Sequence, residues 1–236
     1  EQRARLLLAR EKVYDLRGER ASQLRDLESL AAMTEALIPH QQAEISLRYA
    51  AYLWVIGEVE TANGRLDETI ASARSCGAAT LEAKALLLKA RCLTSDADRV
   101  HAYLEQALSV AQRYHLRAIE GDIVRNMGNV SFWHNDFHQS MRHFQEARSI
   151  HQEVGDLRGE LSILNNLGHV SRHLGKQNNA RRYFEAGLEI CDRIGDRLAE
   201  GVLLGNLSAL LIDFGAYDEA VARLTHAVEL RTGIQN

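Results

Sequence analysis

Apolar residues recur every three or four positions along most of the chain, the spacing of helices that bury one face. Near the C-terminus Leu203, Leu204, Leu207, Leu210 and Leu211 make one stripe, and Val221, Leu224 and Val228 make a second. A glycine, Gly215, separates the two stripes. The pattern predicts two amphipathic helices joined by a tight turn. A single proline, Pro39, and an abundance of Ala, Leu, Arg and Glu over β-branched residues extend that prediction to the whole chain.

The hairpin repeats. Gly155-Asp156 falls on Gly195-Asp196, Asn166-Leu167 on Asn206-Leu207, Gly175 on Gly215, Ala180 on Ala220 and Phe184 on Leu224, each pair 40 residues apart. The turn position reads Gly18, Gly57, Ser95, Asn135, Gly175 and Gly215. A large residue in the second helix reads Leu27, Leu66, Leu104, Phe144, Phe184 and Leu224. Three positions on stand Leu30, Thr69, Ala107, Ala147, Gly187 and Ala227, so the first two copies drift from small. Glycine or asparagine at the turn supplies the left-handed conformation that ends a helix. Asp156 and Asp196 are placed to accept the orphan N–H groups of the helices that follow. Gly128, Gly168 and Ser208 share a place inside the first helix, where lack of bulk lets the paired helix approach.

"ILNNLGHVSRHLGK" (163–176) ends in Gly-Lys, but it is not a phosphate loop. Gly168 and Gly175 are too far apart, Gln177 stands where Ser or Thr is required, and no strand precedes. The 236 residues are 46% hydrophobic and 25% charged with a net charge of −4. Interspersed charges give no surface for nucleic acid or membrane, and no apolar run is long enough to span a bilayer. Cys76, Cys92 and Cys191 are far apart and suit three small apolar side chains in a reducing, cytoplasmic setting. No nucleophile–base pair or acidic pair stands out, so an enzyme is not expected. His169 and His173 share a helix face, yet no third ligand is visible; neither a metal nor a cofactor is expected. The chain begins at Glu1 directly in helical pattern, which suggests a fragment of a longer protein.

"NLGHVSRHLGKQNNARRYFEAGLEI", "NLSALLIDFGAYDEAVARLTHAVEL" and "NMGNVSFWHNDFHQSMRHFQEARSI" resemble the tetratricopeptide repeat: small residue in helix A, aromatic or leucine in helix B, small residue after it. The likeness is strong over 118–232, moderate over 79–117 and weak over 1–78. The 40-residue period resembles a longer-helix subclass found in kinesin light chains, polarity adaptors and bacterial regulators of the maltose-activator type. The resemblance implies an all-α, right-handed superhelical solenoid of about six antiparallel helix pairs. Those pairs would span 1–38, 39–78, 79–117, 118–156, 157–196 and 197–236 as one domain.

The resemblance also implies a concave face lined by the first helices, where a protein or extended peptide binds. Counting Gly168 as the eighth helical position, positions 2, 5, 9, 12 and 13 project there. The candidates are Asp122, Arg125, Asn129, Phe132 and Trp133 in the fourth repeat, and Asn165, His169, Arg172 and His173 in the fifth. Asp213 follows in the sixth. Asn126, Asn166 and Asn206 recur at position 6, and an amide both donates to and accepts from a peptide main chain. Arg125 and Arg172 can clamp a carboxylate, and an exposed aromatic can anchor a side chain. Trp54 is expected in the core. Two functions follow: a non-catalytic binding scaffold, or the sensor arm of a larger signalling ATPase or transcription regulator. The sixth pair has an uncapped apolar face, so further repeats or self-association are expected.

Overall fold

The computed structural model describes residues 2–93 and 96–234; Ser95, assigned above to a turn, lies outside them. The described residues form twelve α-helices and one 3-10 turn, with no strand among them. In chain order these are α1 (Gln2–Arg17), α2 (Arg20–Ala31), α3 (Pro39–Val55), α4 (Val59–Ser75), α5 (Ala79–Cys92), α6 (Ala97–Arg113), α7 (Arg117–Trp133), α8 (Phe137–Val154), α9 (Leu157–His173), α10 (Gln177–Ile194), α11 (Arg197–Asp213) and α12 (Tyr217–Ile234). The 3-10 turn, Thr34–Ala36, separates α2 from Pro39, which opens α3 where its missing N–H costs nothing. No helix among the described residues is long and apolar enough to cross a membrane. The chain divides into two compact units, residues 1–119 and 120–236.

Left-handed residues punctuate the helices in two registers. Gly18, Gly57, Asn135, Gly175 and Gly215 lie within hairpins at φ 61–89°, as the sequence implies. Gly77, His115, Gly155 and Gly195 form a second register between hairpins, at φ 53–70°. Both registers close the same way. The next N–H reaches back five residues, from Lys176 to the Ser171 carbonyl at 2.8 Å and from Asp196 to that of Cys191 at 3.1 Å. The side chains of Asp156 and Asp196 accept from the Gly159 and Ala199 amides, and Asp96 and Asp136 do the same for α6 and α8. The equivalent residues of the first two hairpins, Glu19 and Glu58, make no such cap.

Two of the three hairpins in the second unit close by laying an aromatic ring on bare backbone. A methyl group added to Gly128 would sit 2.6 Å from the Phe144 ring, and one on Gly168 would sit 2.6 Å from Cδ1 of Phe184. Both rings are fully buried. Gly187 is not among the groups that meet Gly168. It faces the next hairpin, where Leu203 Cδ1 lies 2.8 Å from the position of its missing Cβ. Phe184, Leu161 and Leu164 thus join Leu203, Leu207, Leu210 and Leu211 in one core.

The first hairpin of the first unit solves the same packing problem with charge. Glu11 occupies the small-residue position of the first helix and is buried. It accepts from Arg48 at 2.6 Å and from the Gln23 amide at 2.8 Å. Buried Asp26 takes both arms of Arg10 at 2.6 and 2.8 Å. Trp54 is half-buried rather than core, with the Arg91 guanidinium 3.9 Å from its ring.

Two glycines of the second unit should respond oppositely to alanine. Gly168→Ala is expected to lower the unfolding free energy by about 1–3 kcal/mol, because the added methyl overlaps the Phe184 ring. Gly205→Ala, inside α11 with nothing within 4 Å of a new methyl, should raise it by about 0.5–1 kcal/mol. Urea unfolding followed by circular dichroism measures both.

Candidate functional site

The first helices of the second unit stand side by side, joined by polar contacts with a regular rule. The position-6 amide of one helix reaches position 9 of the helix before it. Asn166 Nδ2 donates to Asn129 Oδ1 at 3.2 Å, and Asn206 Nδ2 lies 3.2 Å from His169 Nε2. Asn206 Nδ2 also donates to Asn165 Oδ1 at 2.7 Å. One turn further on, position 13 meets position 12 of the preceding helix. His173 sets its ring edge-on to Phe132 at 5.0 Å, and Asp213 pairs with Arg172 at 2.7 Å.

Between α7 and α9 these residues enclose a pocket of about 400 Å³, lined by Asn129, Phe132, Trp133, Phe144, Asn166, His169 and His173. Phe144, the ring that closes the hairpin on Gly128, is therefore also pocket wall. Phe132 is packed, with Phe137 5.4 Å away and His173 stacked on Phe137 at 4.8 Å. Trp133 is the wet aromatic, 66% exposed at the rim. Phe137 was not found by repeat spacing, since it opens α8 outside the motif positions. The only signal for it is an aromatic immediately after the hairpin turn.

Of the thirteen candidate residues, Asn129, Phe132, Trp133, Asn166, His169 and His173 meet at the pocket, and Asn165, Arg172, Asn206 and Asp213 continue beside it across α9 and α11. Asp122, Arg125 and Asn126 form a separate group nearer the start of α7. There Arg125 pairs with Asp122 at 3.3 Å, and Asn126, buried, donates to the Asp122 carbonyl at 2.7 Å. The position-6 asparagines are therefore not three equivalent free arms. Asn126 is turned into its own helix, while Asn166 and Asn206 tie neighbouring helices together.

His169 has its pKa lowered, first by burial and then by the positive charges of Arg172 and His173. At neutral pH its ring is uncharged, and Nε2 accepts from Asn206, which leaves the ring proton on Nδ1. The two histidines thus have different partners, and no group of three or more His, Cys, Asp or Glu among the described residues could hold a metal ion. Arg172 and Asp213 are both about two-fifths exposed, so their pair contributes only ~0–1 kcal/mol and is readily exchanged for another carboxylate. Burial pushes up the thiols of Cys92 and Cys191, the latter to about 11 with Asp196 and Glu200 adding to the shift. Neither is a thiolate nucleophile at neutral pH.

Residues 159–233 match the tetratricopeptide-repeat family. No curated protein matches its sequence. Among solved structures it is similar to a Rap protein complexed with competence and sporulation factor, at 11% identity and a TM-score of 0.79 over 99% of this chain and 76% of that one. It is also similar to the Rap conjugation gene regulator of plasmid pLS20 in complex with the Phr* peptide, at 14% identity and a TM-score of 0.74 over 95% and 72% of the two chains. A third is a signal transduction ATPase with a tetratricopeptide-repeat sensor from Pyrococcus horikoshii, at 14% identity and 0.66 over 89% and 34%. At these identities the likeness is one of fold.

The depressed pKa of His169 links stability to pH. The unfolded ring titrates near 6.5, so the unfolded chain binds the proton first as pH falls. The contribution is complete above about pH 6.5 and is lost as pH drops toward the lower folded value. NMR titration should find His169 protonating below the ordinary histidine range, and His169→Gln should flatten part of the stability loss as pH falls below about 6.5.

Proposed function

We propose that the chain is a non-catalytic scaffold that binds a protein segment or extended peptide across the first-helix face of residues 120–236. The observation that carries this is the pocket between α7 and α9. A largely exposed tryptophan stands at its rim, with packed aromatics and carboxamides around it. An apolar side chain of the ligand enters against Trp133, Phe132 and Phe144. Asn129 and Asn166 bond to its main chain, each amide having more hydrogen-bonding atoms than the one contact between them uses. Arg172 takes an acidic group by exchanging partners with Asp213. Asp122, Arg125 and Asn126 extend the polar surface along α7, and Asn165 and Asn206 extend it toward α11.

Peptide complexes among proteins of similar fold support the choice of ligand. The likeness to a signalling ATPase's repeat sensor supports a second role for the same surface, as the sensing arm of a larger regulator. The free cysteines Cys76, Cys92 and Cys191 suit a reducing, cytoplasmic setting.

Random dodecapeptides displayed on phage and selected on the wild-type chain supply a defined probe. The best binder, read by fluorescence anisotropy, should lose roughly tenfold or more in affinity to Trp133→Ala and to Asn166→Ala. Arg182→Ala, exposed on α10, should leave binding unchanged. Equal binding by all four proteins would place the ligand elsewhere.

A further inference from the structure

We propose that acid releases the ligand of the pocket between α7 and α9, through protonation of His169 in the pocket wall. The inference rests on the peptide-binding reading of that pocket and adds how its occupancy is regulated.

The hydrogen bonds around His169 call for an unprotonated Nε2. Asn206 stands between two partners, its Nδ2 lying 2.7 Å from Asn165 Oδ1 and 3.2 Å from His169 Nε2. An amide nitrogen carries two hydrogens and accepts none, so one hydrogen goes to each partner. A proton on Nε2 would set N–H against N–H. Turning Asn206 over sets its Oδ1 against Asn165 Oδ1, so a protonated ring obliges both amides to rearrange. Those amides join α9 to α11. On its other side the same ring is pocket wall. One proton therefore acts on the helix seam and on the ligand's surroundings together.

The surroundings of the ring also oppose a positive charge. Burial, then the charges of Arg172 and His173 on its own helix, hold His169 below the usual histidine range. From α7 and α8 it shares the pocket with Asn129, Phe132, Trp133 and Phe144, from α10 it meets the Phe184 ring at 5.6 Å, and from α11 it meets Asn206. None of these six side chains titrates near neutral pH. Asp213 of α11 is paired with Arg172 at 2.7 Å. An apolar ligand side chain seated in the pocket takes further water from the ring and makes its charge costlier still. Ligand and proton then compete, and each lowers the affinity for the other by the same factor. His173 is placed differently: its ring is exposed and stacks on Phe137, so a charge there stays in water.

The phage-selected dodecapeptide tests this, chosen to contain no histidine. Fluorescence anisotropy should show its affinity falling roughly threefold or more between about pH 7.5 and about pH 5, with a limit of about tenfold per pH unit for one proton. In His169→Gln the affinity, whatever its level, should not fall with pH. In His173→Gln the fall should persist. NMR titration of the wild-type chain needs no variant: saturating peptide should move the His169 midpoint lower still. An affinity that stays flat or rises on acidification overturns the inference. So does a fall retained in His169→Gln, or a His169 midpoint that the peptide leaves in place or raises. Those outcomes leave peptide binding itself intact, because the probe is one that loses affinity to Trp133→Ala and Asn166→Ala. A selected peptide indifferent to both substitutions overturns the peptide-binding reading, and this inference with it.

Discussion

The contact on which the second unit depends is an aromatic ring lying on backbone that has no side chain. Phe144 rests on Gly128 and Phe184 on Gly168, closer than any Cβ allows. That approach sets the distance between the two helices of a hairpin and removes both rings from water. Full burial of a phenylalanine contributes about 1.5–3 kcal/mol. The glycine in each pair has its own cost, about 0.5–1 kcal/mol against alanine inside a helix. The ring burial outweighs that cost, so a weak helix former persists at the centre of two helices.

The same rings connect core to surface. Phe144 is buried, yet its edge walls the pocket, and Phe184 lies 5.6 Å from the ring of His169. Because the hairpins are spaced by these rings and by Leu203 over Gly187, first helices fall side by side at a distance a carboxamide can bridge. The regular bonds from position 6 to position 9 follow from that spacing. They satisfy polar groups at a half-buried seam, where a lost partner costs more than a formed bond returns. The face that results is polar, ordered and open.

The first unit shows how far the pattern bends. Glu11 stands where glycine or serine stands later, and a buried carboxylate there requires partners. Arg48 and Gln23 supply them, while Arg10 and Asp26 form a second pair. Desolvation offsets much of the attraction in such pairs, although removing one partner alone strands a charge. In the first hairpin the weak motif has this physical origin: ionic contacts at Glu11 replace the small-on-aromatic packing that makes the motif visible.

Helix class, hairpin period, the turn residues and the paired glycines were legible in the sequence, because each is set by local backbone preference repeated in phase. Gly168 and Gly175 were separable as packing glycine and turn glycine by period alone. The caps at Asp156 and Asp196 were legible for the same reason. Tertiary structure decided what each side chain does between repeats. Gly187 takes a leucine of the next hairpin, Asn126 turns into its helix while Asn166 and Asn206 reach across, and Phe137 joins His173 from outside the motif. Those outcomes depend on how far apart neighbouring helices settle, and that distance is fixed by side-chain volumes on other helices, 16 residues away in Gly128–Phe144, Gly168–Phe184 and Gly187–Leu203, which no local pattern records.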